Sequence, residues 1–214
     1  MKLVIATPSP YARKARIALI EKSLRYEESV DNPWMPNAGV GALNPLAKVP
    51  TLLLDDGRVF HDSSVIVEYL DAVAPMPRFI PADSMARVEA RQVEAIADGV
   101  CDAVVMIVLE GARPTAMRSV DWIRRQRHKV DAGIAALEAR LAGRAAFLAP
   151  GDDAGAPTLA EVATACALAY CDLRLPEADW RPGAPGLAAL SDRMEARASF
   201  AATRPVAQDV PTVR

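Results

Sequence analysis

At 214 residues the chain suits one large domain or two small ones, each able to bury a core of its own, with two the better fit. Apolar residues make up 51% and aromatics only 5%, with alanine plentiful, which favours helices over an all-β architecture and argues against disorder. A formal net charge of -2, with both signs mixed along the chain, offers no broad field for nucleic acid or an anionic membrane, so a small molecule is the expected ligand.

Taken in order, Leu3-Val4-Ile5-Ala6 is a continuous apolar run with β-branched residues and predicts a buried strand. From Pro10 to about Lys22 the pattern turns helical. Ser9 stands where an N-cap belongs, and Pro10 takes the first helical position, where its missing N–H costs nothing. Arg25 to Ser29 reads as a second strand, and Asp31 to Gly41, broken by Pro33, Pro36 and Gly39, as an irregular stretch with one short helix. Thr51 to Leu54, the Asp55-Asp56-Gly57 turn and Arg58 to Phe60 predict a hairpin. A helix capped by Asp62 or Ser63 follows, with Val65, Ile66, Tyr69, Leu70 and Val73 along one face. The order is βαβαββα.

The proline-rich stretch from Ala74 to Pro81 breaks the periodicity, so residues 1–75 are expected to form an α/β domain, 76–82 a linker and 83–214 an all-helical domain. Val93, Ile96, Val100, Val104 and Ile107 mark one long helix, and Val130, Ile134, Leu137 and Leu141 another, with Arg113-Pro114 between them. Thr158-Leu159-Ala160-Glu161 is a capping-box sequence. The helix it opens, through Ala163, Cys166, Leu168 and Tyr170, is apolar nearly all round and should be the buried centre of a bundle.

Cys101, Cys166 and Cys171 form no Cys-x-x-Cys pair, so neither a disulfide framework nor a zinc site is expected, and a reducing compartment fits. The apolar run from Met1 to Ala6 is too short for a signal peptide or membrane span, which makes the cytoplasm the expected location.

Three stations carry a resemblance. Thr7-Pro8-Ser9-Pro10-Tyr11-Ala12-Arg13-Lys14-Ala15-Arg16 resembles the Ser-Pro-x-x-Arg-Lys opening of bacterial glutathione transferases. Asn44-Pro45-Leu46-Ala47-Lys48-Val49-Pro50 and Phe60-His61-Asp62-Ser63-Ser64 follow in the order and spacing of that superfamily. In the second half, the capped helix from Thr158 to Arg174 and the ending Arg197-Ala198-Ser199-Phe200 are similar as well, except that Ala198 stands for the usual proline and Glu161 for the common aspartate. The resemblance implies a thioredoxin-like glutathione-binding domain followed by a C-terminal helical bundle.

It also implies roles. Ser9, at a helix N-terminus where amides and dipole favour an anion, would donate a hydrogen bond to the sulfur of glutathione and favour its thiolate. Serine is equally a common N-cap, and Tyr11 is a rival hydroxyl ranked behind it. With Ser9-Pro10-Tyr11-Ala12 in place of Cys-x-x-Cys, thiol–disulfide exchange by the protein itself is disfavoured. Val49-Pro50 resembles the family's cis-proline turn, whose Val49 N–H and C=O would pair with the cysteinyl backbone of glutathione. Lys48 would hold the glycyl carboxylate, or simply lie in solvent. Asp62 and Ser63 would take the α-ammonium and α-carboxylate of the γ-glutamyl end while capping their helix.

Met106, Leu109 and Arg113 fall where family members line the pocket of the electrophile, although apolar residues at that spacing also suit a core. His61 and His128 have no cysteine or carboxylate partners at metal spacing and read as structural, so no metal is expected. Arg124-Arg125-Gln126-Arg127-His128-Lys129 reads as a solvated helix face, not a nucleic-acid site. The leading reading is a homodimeric transferase that sets the thiolate of bound glutathione against an electrophilic small molecule. The alternatives are a non-catalytic protein-binding member of the family, and a glutathione-dependent isomerase, lyase or peroxidase.

Overall fold

The computed structural model describes residues 1–143 and 155–211. Its first part is a four-stranded sheet of β1 (Lys2–Ile5), β2 (Glu27–Val30), β3 (Thr51–Leu53) and β4 (Val59–His61) in the order β2-β1-β3-β4. β1 runs parallel to β2 and antiparallel to β3, and β3 is antiparallel to β4. Leu3, Ile5 and Leu52 are fully buried beneath two helices, α1 (Pro10–Glu21) and α2 (Ser63–Val73), which contribute Ile17, Leu19, Ile66 and Leu70.

β2 begins two residues later than the sequence pattern suggests because it is an edge strand with Glu27 and Glu28 exposed, so no apolar alternation marks it. The expected short helix is a 3-10 turn at Gly39–Ala42, tied down by the Asp31 carboxylate, which accepts from the N–H groups of Asn32 at 2.8 Å and Val40 at 2.7 Å. The hairpin turn has Gly57 at φ 86, a conformation glycine adopts without penalty.

Residues 74–83 contain no helix or strand, and the chain beyond them is helical: α3 (Ser84–Gly111), α4 (Val120–Gly143), α5 (Leu159–Arg174), α6 (Pro185–Glu195) and α7 (Ala198–Ala201). α3 starts well before the first apolar marker. Asp83 caps it by accepting from Met85 and Ala86, while the exposed Met85 and Val88 in its first turns blur the periodicity. α5 has the full capping box, with Thr158 Oγ1 accepting from Glu161 N at 3.1 Å and Glu161 Oε2 accepting from Thr158 N at 2.9 Å. Every residue from Leu159 to Leu168 is buried, as a helix apolar on all sides requires. The N-terminus of α6 is satisfied from a distance, since the Glu138 carboxylate on α4 accepts from Gly186 N at 2.9 Å and Leu187 N at 2.7 Å.

α1 is pinned to the helical part by charge. Arg13, 2% exposed, pairs with Glu195 at 2.8 Å, donates to the Phe200 carbonyl at 3.1 Å and stacks over the Phe200 ring. Lys14, 1% exposed, reaches Glu94 and Asp98 on α3, each at 2.8 Å. Glu21 receives Arg197 in a two-point fork at 2.9 and 2.8 Å. Arginine and lysine in a core are tolerated only when paired and hydrogen-bonded in this way. Among the described residues no helix is long and apolar enough to cross a membrane.

Candidate active site

Strand register brings the three sequence stations to one end of the sheet. Val4 lies opposite Thr51, and Thr51 opposite His61. The loop leaving β1 toward Ser9, the Val49-Pro50 turn entering β3 and the Asp62-Ser63 pair leaving β4 are therefore side by side. Both α1 and α2 begin at this end, so their unpaired N–H groups and the positive ends of their dipoles favour an anion there.

Ser9 is the N-cap of α1. Its Oγ accepts from Ala12 N at 3.2 Å and its N–H donates to the Ala6 carbonyl at 3.0 Å, which fixes the hydroxyl at the helix mouth, half-buried. The hydroxyl proton itself meets no acceptor among the described residues and is available to a ligand. Tyr11 is differently placed. Its hydroxyl donates to the Asp102 carboxylate on α3. Burial, with Cys101 and Asp102 nearby, pushes its pKa well above the ordinary phenol value. A phenol committed to a carboxylate has no proton to offer a sulfur.

The peptide between Val49 and Pro50 is cis. Neither the N–H nor the C=O of Val49 is hydrogen-bonded among the described residues, whereas the Lys48 carbonyl before it is held by Asn44 Nδ2 at 2.9 Å and Thr51 Oγ1 at 3.0 Å. Asn44 is 2% exposed and also accepts from Leu46 N at 2.9 Å, so it builds the loop that presents Val49. Sequence reasoning gave Asn44 no role, although an Asn-Pro dipeptide is a turn opener and could have suggested one. The Lys48 side chain is exposed and forms no ion pair among the described residues.

Asp62 caps α2 from an unusual backbone conformation, φ 31, with Oδ1 accepting from Ser64 N at 2.9 Å. Positive φ is rare for residues with a side chain but several-fold commoner for aspartate. Asp62 is exposed and Ser63 buried, so one carboxylate oxygen stays open at the rim while the serine hydroxyl sits below it.

Behind the site, Lys14, Glu94 and Asp98 form a buried charge cluster. Burial raises the carboxyl of Asp98 to about 6, Lys14 pulls it back, and Glu94 and Asp62 add to the rise. Burial alone would lower the Lys14 ammonium, but Asp98 and Glu94 reverse the sign and hold it above its ordinary value.

The remaining candidates are scattered. Met106 is exposed, Leu109 half-buried, and Arg113 pairs with Glu110 at 3.4 Å at the end of α3. Arg113 is eleven residues beyond Asp102, about 16 Å of helical rise from the level of Tyr11. His61 is half-buried on β4 and His128 exposed on α4; among the described residues no group of three or more histidine, cysteine or acidic side chains could hold a metal. In the basic run Arg124, Arg125, His128 and Lys129 are exposed, but Gln126 is 1% exposed and faces the core. All three cysteines are buried, which pushes Cys166 and Cys171 up to about 12 and Cys101 well above its ordinary value. Such thiols stay protonated and unreactive.

Comparison with known proteins gives a consistent answer. A family model for the glutathione S-transferase N-terminal domain matches residues 8–73, and one for the glutathione S-transferase C-terminal domain matches residues 120–193. The GST-like protein YibF of Escherichia coli K12 is 36% identical over 206 residues, covering 96% of this chain and 98% of that protein. A glutathione S-transferase from Methylobacterium radiotolerans, solved with glutathione sulfonate, superposes with a TM-score of 0.87 at 42% identity, covering 97% and 96% of the two chains. A second, from Methylobacillus flagellatus with glutathione bound, gives 0.86 at 38% identity, covering 96% and 99%.

Proposed function

Because the chain belongs to the glutathione S-transferase family, we propose that its site binds glutathione and sets the thiolate against an electrophilic small molecule. The observation that carries this reading is the strand register that gathers the Ser9 hydroxyl, the open Val49 edge and the Asp62-Ser63 helix start at one sheet end. Two strand spacings from β1 to β4 amount to about 10 Å, and an extended tripeptide is about 10 Å long. The span suits one glutathione.

The roles follow from the donors present. Ser9 supplies a hydrogen bond to the sulfur, which favours the ionised form and lowers the thiol pKa, and the start of α1 adds its dipole. Val49 offers one N–H and one C=O to the cysteinyl backbone, as an added strand would receive them. At the γ-glutamyl end, the open oxygen of Asp62 meets the ammonium, while Ser63 and the first amides of α2 meet the carboxylate. Lys48, exposed and without an ion pair among the described residues, is assigned to the glycyl carboxylate. The chemistry belongs to the bound thiolate, which forms a bond from sulfur to the electrophilic carbon as the leaving group on that carbon departs with its bonding electron pair. No metal is assigned a part.

We place the protein in the cytoplasm as a homodimer, for which the exposed Val65 on α2 and Met85 and Val88 on α3 supply apolar surface. A thermal-shift titration with glutathione, followed by assays with 1-chloro-2,4-dinitrobenzene, a hydroperoxide and dehydroascorbate, tests the function. Stabilisation with turnover of at least one electrophile is expected. Stabilisation without any turnover would favour a binding module, and no stabilisation would overturn the reading.

A further inference from the structure

Arg174, the last residue of α5, stands out among the cations because two of its nitrogens, Nε and Nη2, are shielded from solvent and find no carboxylate or carbonyl among the described residues, with only the Tyr170 hydroxyl beside the guanidinium. Its guanidinium lies over the ring of Tyr170, 5.8 Å from the centroid. The nearest acid on its own helix, Asp172, is already taken by Trp180 Nε1 at 2.8 Å and by Arg181 at 2.6 and 3.0 Å. A guanidinium cannot shed its protons, so shielded N–H groups without a charged partner mark a place where an anionic acceptor belongs. Arg174 also complements the C-terminal end of the α5 dipole, a role that gives its shielded N–H groups no charged acceptor.

Helix directions put this group beside the proposed site. Lys14 meets Glu94 and Asp98 while Tyr11 meets Asp102, so moving along α1 toward Ser9 means moving along α3 toward its C-terminus. α5 ascends in the same sense as α3. Its first N–H donates to the Phe79 carbonyl just before α3 begins, Cys166 lies within the fields of Arg13 and Lys14, and Tyr170 lies within that of Cys101. Arg174 is eight residues beyond Cys166, about 12 Å further up the helix, whereas Ser9 is five residues from Lys14. Arg174 therefore stands at and slightly above the level of Ser9, on the helical side of the cleft, with the exposed Met106 of α3 at a similar height.

We infer that Arg174 recognises a carboxylate on the electrophile, so that the second substrate is an acid-bearing molecule. This rests on the glutathione reading above and narrows it. The planar fork of arginine matches a carboxylate at two points, and Tyr170 supports its flat face.

The test compares two conjugates that differ by one carboxylate, S-(2,4-dinitrophenyl)glutathione and S-(4-carboxy-2,6-dinitrophenyl)glutathione, by calorimetric titration of the full-length protein. Wild type should bind the carboxylated conjugate roughly ten- to a hundred-fold more tightly, the range of a charged hydrogen-bonded contact. Arg174→Gln should abolish that preference with glutathione affinity unchanged, and Arg174→Lys, which keeps charge without the fork, should retain part of it. A thermal melt of each variant establishes that it is folded, and the wild-type comparison decides the matter if one is not. Glutathione binding with equal affinity for the two conjugates in wild type, or an undiminished preference in folded Arg174→Gln, would overturn the inference alone. No glutathione binding by wild type would overturn the transferase reading and this inference with it.

Discussion

The ammonium of Lys14 lies 2.8 Å from Glu94 and 2.8 Å from Asp98, a largely buried ion cluster joining the first helix of the sheet domain to the longest helix of the bundle. Removing the cation leaves two carboxylates facing each other with little access to water. Lys14→Met should therefore destabilise the fold by about 3–5 kcal/mol, measured by urea unfolding, and Lys14→Arg by less. A loss below about 1 kcal/mol, the level of exposed pairs, would show that water reaches the cluster.

The same cluster sets a pH dependence. Asp98 titrates at about 6 in the folded chain, raised first by burial, against an ordinary value of 3.8. A carboxyl with a raised folded pKa binds more protons folded than unfolded, so its contribution to stability is full below about pH 4 and declines as pH rises to about 6. Glu94, held below its ordinary value by Lys14 and Arg91 despite its burial, acts in the opposite direction and loses its contribution as pH falls. A carboxyl-carbon NMR titration of Asp98 should show its midpoint near 6. A midpoint near 4 would contradict the assignment.

Tyr11 gives a negative control. Its hydroxyl is committed to Asp102, so Tyr11→Phe should leave the thiol pKa of bound glutathione unchanged and cost about 1 kcal/mol of stability through the lost hydrogen bond. A rise in the thiol pKa of this variant, read by thiolate absorbance, would show that Tyr11 shares the sulfur.

Asp62 caps α2, and its proposed hold on the γ-glutamyl ammonium can be separated from that capping. Asp62→Ala should weaken glutathione binding strongly while lowering stability by about 1 kcal/mol, the value of a lost N-cap. Asp62→Asn keeps a capping oxygen but not the charge. It should restore most of the stability and little of the affinity. Recovery of both by asparagine would remove the charge from the account.

Local features were legible in the sequence because their causes are local. Ser9-Pro10 marks the start of α1, Asp55-Asp56-Gly57 the hairpin, and Thr158 with Glu161 the start of α5, each through groups within three or four residues of each other. What stayed hidden depends on partners far along the chain. Arg13 and Lys14 were visible as a motif, but their carboxylates, Glu195 and Glu94, lie 182 and 80 residues away. No periodicity announces that a basic pair in the second turn of a helix will be buried. α6 carries no capping side chain of its own and borrows its N-terminal acceptor from Glu138 on another helix, so its start has no local mark beyond Pro185. The cleft was legible as three motifs, and its assembly became visible only through the strand register.

Whether Ser9 stabilises the thiolate is read from the ultraviolet absorbance of the thiolate against pH in the glutathione complexes of wild type and Ser9→Ala. Ser9→Gly serves as a check because glycine keeps most of the N-cap stability while lacking the hydroxyl. A thiol pKa about 1–2 units higher is expected in both variants, equivalent to the roughly 1.5–3 kcal/mol of a charge-assisted hydrogen bond, with turnover falling about ten- to a hundred-fold and glutathione affinity nearly unchanged. A titration that superimposes on wild type, with full turnover in both variants, would reduce Ser9 to a helix cap and pass the sulfur to the backbone amides of α1.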